Sequence, residues 1–339
     1  MPVVRRQSRE DGSEKRKKVR RSRKAKTNES VLSIMYSNIQ GVTKKKESLI
    51  DIMDELDCDM CLLAETLTNK IKIHGCRSVV SRKSVGQNVS ILLRKDIKNE
   101  QLIKLYEPND IANMIGIRLE LMNNGIRIYT AHLKQQSSNT RDDIIDQFEE
   151  VRKQFKHANS CGEGIIMIFD SNVHVGDAVI PGCPEKQDWG GRILMDIVKD
   201  ECLVLMNSEE ICSGTITRVD PRNGKGSCLD MVLVNQYMYS NVTAVDIDEK
   251  GQFKPANYEA KCKKFTDHNT ILLKANIVRS AREKRASYLN TKCDAGRDKF
   301  CKVIERKAFE MSKIFGKVTD DLDKEFSKLM MLSQETFPQ

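Results

Sequence analysis

Short apolar runs recur between residues 31 and 278, and several of them stop at a carboxylate, an amide or a histidine. The clearest runs cover residues 31–36, 60–64 and 164–169. Apolar runs of this length, bounded by polar residues, are typical of buried β-strands. A buried carboxylate costs free energy unless a cation or a hydrogen-bond donor compensates it. Such strand ends therefore predict a layered α/β domain with a polar site at one sheet edge.

Segments with helical periodicity separate these runs. Predicted helices cover residues 44–56, 141–155 and 192–201, and further predicted strands cover residues 89–93, 115–121, 126–132, 203–206, 231–234 and 271–275. The sequence Asn123-Asn124-Gly125 is typical of a hairpin turn and predicts that the strands on either side of it pair.

The positive charge of the chain is concentrated at its start. Residues 1–30 hold twelve Lys or Arg against four acids, in a chain with a net charge of +9. With so few large apolar groups this segment is predicted to be disordered. It is expected to contact a phosphate backbone or to act as a nuclear-import signal, although a solubilising tail would look the same. Residues 279–339 are also highly charged and are predicted to form a helical extension.

The cysteines and the hydropathy predict a protein of a reducing compartment. The chain has eleven cysteines without paired spacing, which argues against a disulfide framework. Cys58 and Cys61 form a C-x-x-C pair, but the apolar run that begins at Cys61 favours core packing. We find no secretory signal and no apolar run long enough to span a membrane, so we expect neither secretion nor a membrane partner.

The polar residues at the strand ends form one candidate site. They are Glu65, Asp170, Asn172, Asp230, Asp267 and His268. Acids that converge at one sheet edge repel each other, and a hard divalent cation relieves that repulsion. Hydrolysis of a phosphodiester needs a cation, a base for water and donors for the phosphoryl oxygens. These residue types can supply all three.

Several motifs resemble those of the endonuclease/exonuclease/phosphatase superfamily, which has the deoxyribonuclease-I-like fold. They are SNIQG at 37–41, AET at 64–66, IYTAH at 128–132, FDSN at 169–172, GSCLD at 226–230 and TDH at 266–268. Their order and spacing over residues 31–278 are most similar to the apurinic-type endonuclease domain of non-LTR retrotransposons. The resemblance implies a two-sheet β-sandwich flanked by helices.

The resemblance also implies a metal centre and a base. Glu65 would be the principal ligand of a Mg²⁺ or Mn²⁺ ion, with Asn38 and Asp267 near the same ion. Asp170 would orient or deprotonate the attacking water. Gln40 departs from the DNA-repair members of the superfamily, which carry an aspartate at that position.

The same resemblance implies groups that hold the phosphate. Asn172 and His268 would contact the scissile phosphate, and Asp230 would support the imidazole of His268. Tyr129 and His132 resemble a pair of phosphate-side groups, although the proline that normally follows the tyrosine is missing.

Basic residues outside the motifs are candidates for contact with the DNA backbone. They are Lys44, Lys45, Lys46, Arg82 and Lys83. Short basic runs also occur on ordinary solvated surfaces, so these five residues carry less weight than the motifs.

The predicted function is a metal-dependent DNA endonuclease that nicks one strand and leaves a 3′-hydroxyl. In a retrotransposon such an end primes reverse transcription, so a reverse transcriptase absent from this chain is an expected partner and the nucleus an expected location. Two alternatives stay open. One is a catalytically silent nucleic-acid-binding protein derived from such an element, and the other is a phosphodiesterase of the same superfamily acting on RNA or phosphoinositides.

Overall fold

The computed structural model describes residues 29–68, 71–80, 88–94, 102–106, 111–120, 125–253 and 266–278. The predictions for residues 1–28, for Arg82 and Lys83, and for residues 279–339 lie outside these ranges. Within the described ranges, no helix combines the length and the apolar character that a membrane span requires.

Strands dominate the described residues, with helices between some of them. The strands are β1 (Glu29–Asn38), β2 (Met60–Ala64), β3 (Cys76–Val80), β4 (Ser90–Arg94), β5 (Leu102–Tyr106), β6 (Asn113–Glu120), β7 (Gly125–His132), β8 (Gly164–Asp170), β9 (Val204–Leu205), β10 (Cys212–Ser213), β11 (Arg218–Val219), β12 (Gly226–Ser227), β13 (Asp230–Val234), β14 (Val242–Ile247) and β15 (Ile271–Val278). The helices are α1 (Lys46–Glu55), α2 (Arg141–Ser160), α3 (Trp189–Asp200) and α4 (Gln236–Tyr239).

Two mixed sheets form a sandwich. The first has the order β10-β14-β15-β1-β2-β4-β3, and the second has the order β5-β6-β7-β8-β13-β9. A separate two-stranded ribbon pairs β11 with β12. The two-sheet α/β architecture predicted from the sequence is confirmed.

The core has three parts because both sheets are covered on both faces. Apolar side chains from both sheets, among them Ile34, Ile128 and Ile168, pack against each other in the interior of the sandwich. A second cluster joins the outer face of the second sheet to α2 and α3. A third joins the outer face of the first sheet to α1 and includes the buried pair Cys58 and Cys61. The flanking helices are therefore held by the apolar face that each presents to a sheet.

The ends of two helices are fixed by side-chain caps. The hydroxyl of Thr140 accepts a hydrogen bond from the backbone nitrogen of Asp143, whose carboxylate bonds the backbone of Thr140 in return, so α2 begins with a capping box. Asp188 caps α3 in a similar way by accepting from the backbone of Gly191. This cap explains why α3 begins at Trp189, ahead of the start predicted from apolar periodicity.

The pattern of apolar runs predicted the central strands more closely than the edges. Strand β2 has the predicted limits, whereas β1 begins at Glu29, two residues before the predicted domain boundary. The edge strands β3, β5 and β10 were not predicted, and neither were β14, which lies next to the edge of the first sheet, and the ribbon strands β11 and β12. Edge strands are short or carry polar residues, so they lack a long apolar run.

Candidate active site

Several strand ends bring polar residues to one end of the sandwich. Strands β1 and β2 are parallel, so Asn38 and Glu65 leave the first sheet at the same end. Strands β7 and β8 are also parallel and end at His132 and Asp170. Strand β13 runs antiparallel to β8, and its first residue, Asp230, pairs directly with Asp170. The topology therefore places residues that are far apart in sequence in one cluster.

Glu65 belongs to a cluster with Asn38 and His132. The amide Nδ2 of Asn38 donates to Oε1 of Glu65 at 2.9 Å and to Oδ2 of Asp170 at 2.9 Å. The Nε2 atom of His132 lies 3.1 Å from the same Glu65 oxygen and 3.8 Å from Oδ2 of Asp170. Asn38, His132 and Asp170 are buried, whereas Glu65 is partly exposed. Glu65 is thus the member of this cluster that solvent reaches.

The neighbours of Glu65 keep it ionised. Burial acts to raise its pKa, but hydrogen bonds from His132 and Asn38 and the charges of His132 and His268 outweigh burial and lower the pKa to about 2. Burial acts to lower the pKa of His132, but the hydrogen bond with Glu65 and the charge of Asp170 raise it overall. An ionised, partly exposed carboxylate is suited to bind a cation.

His268 is oriented by Asp230, which is itself held from three directions. The Nδ1 atom of His268 lies 2.7 Å from Oδ2 of Asp230, and the hydroxyl of Tyr36 donates to Oδ1 of Asp230 at 2.8 Å. The backbone nitrogen of Asp230 donates to the hydroxyl of Thr217 at 3.0 Å. The other ring nitrogen of His268 faces Oδ2 of Asp170 at 3.9 Å. This chain of contacts fixes which side of the imidazole faces the site.

The pKa values of both Asp170 and His268 are raised. Burial and the charge of Asp230 raise the pKa of Asp170, and the two histidines and Asn38 limit the rise to about 6. Burial acts to lower the pKa of His268, but the charge and hydrogen bond of Asp230 and the charges of Asp170 and Asp267 raise it to about 9. A carboxyl with a pKa near neutrality is a good proton acceptor in catalysis, and a protonated imidazole is a good donor to an anion.

Asn172 lies beside Asp170 in a left-handed backbone conformation. Its backbone nitrogen donates to Oδ1 of Asp170 at 3.1 Å, and its side-chain Nδ2 donates to the carbonyl of Leu133 at 2.7 Å. Four of the six non-glycine residues with positive φ in the described ranges lie in the site or within two residues of it: Gln40, Glu65, Leu67 and Asn172. Backbone strain of this kind concentrates at functional sites.

Asp267 reaches the same region, but its two oxygens already have partners. Its Oδ2 atom accepts a hydrogen bond from Nε of Arg218 at 3.0 Å, and its Oδ1 atom accepts one from Nε2 of Gln40. The Oδ1 atom also lies 3.9 Å from Nε2 of His268. The expectation that Asp267 is a metal ligand remains a prediction.

The residues around Glu65 fit a hard divalent cation. Two sets of acids and histidines in the described ranges lie close enough to share an ion: Glu65, His132 and Asp170, and Asp170, Asp230 and His268. The carbonyl oxygen of the Asn38 side chain is buried and has no hydrogen-bond partner among the described residues. Carboxylate and amide oxygens are the ligands that Mg²⁺ and Mn²⁺ prefer.

Tyr129 lies on the helix-covered face of the second sheet, and its predicted role stays a prediction. Its hydroxyl donates to Oε1 of Gln154 on α2 at 3.0 Å, and its ring packs in the cluster that joins the second sheet to α2 and α3. Side chains alternate between the two faces of a strand. His132, three residues further along β7, therefore faces the site while Tyr129 faces the helices. Tyr36 is the tyrosine that bonds a site residue.

The predicted basic residues lie in different surroundings. The ammonium group of Lys45 donates to the carbonyls of Ile39 and Gln40, so it packs against the loop that follows Asn38. Lys44 is exposed, and Lys46 is the first residue of α1.

The sequence analysis missed Tyr36, Thr217 and Arg218. Tyr36 precedes Asn38 by two residues, so the two share one face of β1, and this alternation is a signal that could have identified it. Thr217 and Arg218 lie in a segment without clear periodicity. Arg218 reaches the site through an isolated bridge to His268, a pairing that the sequence alone does not reveal.

No protein-family model matches the chain, and no curated protein matches it in sequence. Solved structures do share its fold. The endonuclease domain of TRAS1, a telomere-specific non-LTR retrotransposon, is 14% identical with a TM-score of 0.52, and the match covers 74% of this chain and all of that domain. The 3′ phosphatase NExo from Neisseria, bound to a product DNA hairpin, is 13% identical with a TM-score of 0.55, covering 71% of this chain and 98% of the enzyme.

An AP endonuclease from Leishmania major is also similar. It is 13% identical with a TM-score of 0.55, and the match covers 72% of this chain and 87% of the enzyme. At these identities the likeness establishes the fold alone. The chain therefore has the endonuclease/exonuclease/phosphatase fold that the motifs predicted.

Proposed function

We propose that this chain, which has the endonuclease/exonuclease/phosphatase fold, is a divalent-metal-dependent phosphodiesterase that nicks DNA. The observation that carries the proposal is the position of Asp170. It is buried between the cluster of Glu65 and His132 on one side and the pair of Asp230 and His268 on the other. A proton acceptor thus lies between a candidate cation site and a cationic donor, which is the arrangement that hydrolysis of an anionic ester requires.

Glu65 and Asn38 are the residues that would hold Mg²⁺ or Mn²⁺. Glu65 supplies an ionised carboxylate, and Asn38 supplies a buried amide oxygen that has no partner among the described residues. When bound, the ion neutralises charge that develops on the phosphoryl oxygens.

The other side chains of the site would accept the proton of the attacking water and stabilise the phosphoryl group. Asp170 takes a proton from a water molecule as the water oxygen attacks phosphorus. The bond from phosphorus to the 3′ oxygen breaks, and the 3′ oxygen leaves with the bonding electrons and takes a proton from solvent. His268 donates through Nε2 to a phosphoryl oxygen, while Asp230 and Tyr36 keep its ring in place. The products are a 3′-hydroxyl and a 5′-phosphate.

DNA is the proposed substrate for two reasons. Structures of the same fold include an endonuclease domain of a retrotransposon and an enzyme bound to a DNA hairpin. In addition, the basic segment of residues 1–30 suits a polyanion. We also propose a nuclear location from this segment, and a role in priming reverse transcription from the motif resemblance. A reverse transcriptase partner rests on that resemblance alone.

A substrate panel tests the proposal. Supercoiled plasmid, a short RNA and a phosphoinositide are each incubated with the full chain in Mg²⁺ or in EDTA. We expect Mg²⁺-dependent nicking of the plasmid that is lost in His268→Ala and retained in His157→Ala, a control histidine exposed near the end of α2. Faster hydrolysis of the RNA or of the phosphoinositide than of the plasmid would identify that molecule as the substrate in place of DNA. Equal plasmid nicking by wild type and His268→Ala would favour the silent nucleic-acid-binding protein.

A further inference from the structure

Arg218 places a positive charge at the edge of a site that is rich in acids. It lies on β11, and its backbone forms a bridge with His268. Its Nε atom donates to Oδ2 of Asp267 at 3.0 Å. About a third of the side chain, 34%, remains exposed, so solvent and ligands reach it. Because a DNA strand must approach Glu65 and Asp170 as a polyanion, a cation at this edge would offset the repulsion.

Both oxygens of the Asp267 carboxylate accept hydrogen bonds, and one of these bonds holds the guanidinium group of Arg218 in place. One oxygen accepts from Arg218 and the other from Gln40, and the backbone carbonyl of Asp267 accepts from the nitrogen of Val219 at 2.8 Å. The guanidinium group already neutralises much of its charge. A carboxylate in this state is a poorer cation ligand than Glu65, which is partly exposed and has a neighbouring amide oxygen with no partner among the described residues.

The terminal nitrogens of Arg218 are available for a ligand. None of the described residues accepts a hydrogen bond from Nη1 or Nη2 of this side chain. With Nε anchored, the planar guanidinium loses less conformational freedom when its remaining donors bind. Its fork of parallel N–H groups matches the spacing of phosphate oxygens.

We infer that Arg218, held in place by Asp267, binds a phosphate group of the DNA strand beside His268, and that Asp267 positions Arg218 instead of binding the metal. This inference rests on the proposed function, because it assigns the substrate contact of the same site. Because the inference concerns binding, it can be tested by measuring DNA affinity and Mn²⁺ affinity without catalytic turnover.

The first test measures DNA affinity in EDTA. A fluorescein-labelled duplex is titrated with the full chain, and the dissociation constant is read from anisotropy. Arg218→Gln should raise the dissociation constant about tenfold, the effect of losing one charge-assisted hydrogen bond, and should reduce the salt slope by about one. Arg218→Lys keeps the charge without the fork and should fall between Arg218→Gln and wild type.

A matched control lies on the same ribbon. Arg222, in the turn between β11 and β12, has a side chain that is 86% exposed and pairs with Asp220. Arg222→Gln should change the affinity less than about twofold, as expected for an exposed, salt-screened charge. Equal effects of Arg218→Gln and Arg222→Gln, or no measurable wild-type affinity, would overturn the inference.

The second test measures Mn²⁺ binding by electron paramagnetic resonance. Glu65→Gln should weaken binding about tenfold or more, as expected for a ligand. Asp267→Asn should stay within about threefold of wild type, because it removes only a nearby, already paired charge. If Asp267→Asn weakens Mn²⁺ binding as much as Glu65→Gln does, Asp267 is a ligand and the inference is wrong.

These tests separate the inference from the proposed function. A wild-type chain that nicks no DNA, yet loses DNA affinity in Arg218→Gln and keeps Mn²⁺ in Asp267→Asn, would refute the endonuclease and support the phosphate contact. If the wild-type chain nicks DNA and the Arg218→Gln variant binds DNA as tightly as wild type, the endonuclease is supported and the phosphate contact is refuted.

Discussion

The hydroxyl of Tyr36 donates a hydrogen bond to Oδ1 of Asp230 at 2.8 Å, while Oδ2 of the same carboxylate bonds His268. Tyr36 belongs to the first sheet and Asp230 to the second, so this contact joins the two sheets at the candidate active site. Because both carboxylate oxygens are held, Asp230 cannot rotate freely, and the ring of His268 is fixed with Nε2 toward Asp170.

Tyr36→Phe is expected to lower kcat for plasmid nicking about tenfold with little change in KM, because the hydroxyl acts through Asp230 and His268 and not on bound DNA. Tyr129→Phe is the matched control, since its hydroxyl bonds Gln154 on the helix-covered face. Steady-state kinetics of both variants checks this. An equal loss in Tyr129→Phe would support the catalytic role that the sequence predicted for Tyr129.

The stability of the metal-free protein is expected to fall as pH rises above about 6.5. The folded-state pKa of His268 is raised from 6.5 to about 9. A histidine with a raised folded pKa stabilises the fold fully below its unfolded pKa, and this stabilisation is lost as pH rises through the folded pKa. Urea unfolding in EDTA between pH 6 and pH 10 measures the slope. In His268→Gln the free energy of unfolding should lose the part of its pH dependence that comes from this histidine. An unchanged pH dependence in that variant would show that other groups cause it.

Gly191→Ala is expected to destabilise the protein although alanine normally favours a helix. A Cβ atom at position 191 in α3 would lie 1.9 Å from the backbone carbonyl oxygen of His174, which cannot move aside as a side chain would. We expect a loss of about 1–3 kcal/mol or more in the free energy of unfolding. Gly162→Ala meets no atom within 4 Å and bears only the cost of a left-handed backbone, about 1 kcal/mol. Urea titration that ranks the two variants in the opposite order would contradict this packing.

Asn38→Ala is expected to abolish thermal stabilisation by Mn²⁺. The side chain supplies a buried oxygen with no partner among the described residues and two hydrogen bonds that orient Glu65 and Asp170. A ligand that binds only the folded state raises Tm in proportion to the logarithm of its concentration. Scanning calorimetry with increasing Mn²⁺ should show this rise in wild type and in Asn276→Ala, an exposed asparagine on β15. A rise of the same size in Asn38→Ala would exclude Asn38 as a ligand.

The sequence predicted the strand ends well and the faces of the strands poorly. Asp170 follows one continuous apolar run and Asp230 precedes another, so the position of each at the end of a strand could be inferred from the order of residues alone. Tyr129 and His132 were expected to act together, yet they lie on opposite faces of β7. In a strand buried on both sides, every residue is apolar or partnered, so hydropathy does not distinguish the two faces.

The contacts of Arg218 and Asp267 could not be predicted from the chain order. Forty-nine residues separate them in sequence, and the ribbon that carries Arg218 consists of two-residue strands without periodicity. Such pairings depend on how the ribbon packs against the segment of residues 266–270 that precedes β15, which is a property of the packed structure. The motif predicted Asp267 as a metal ligand, which stays a prediction, and the structure adds Arg218 and Gln40 as its hydrogen-bond partners.

The most direct test of the proposed endonuclease compares two aspartate variants in a plasmid-nicking assay with Mg²⁺. Asp170→Asn removes the buried proton acceptor, whereas Asp51→Asn changes an exposed aspartate on α1. We predict that Asp170→Asn lowers the first-order nicking rate about a hundredfold or more, as expected for loss of a general base, and that Asp51→Asn nicks at the wild-type rate. Nicking by Asp170→Asn as fast as by Asp51→Asn would contradict the proposal.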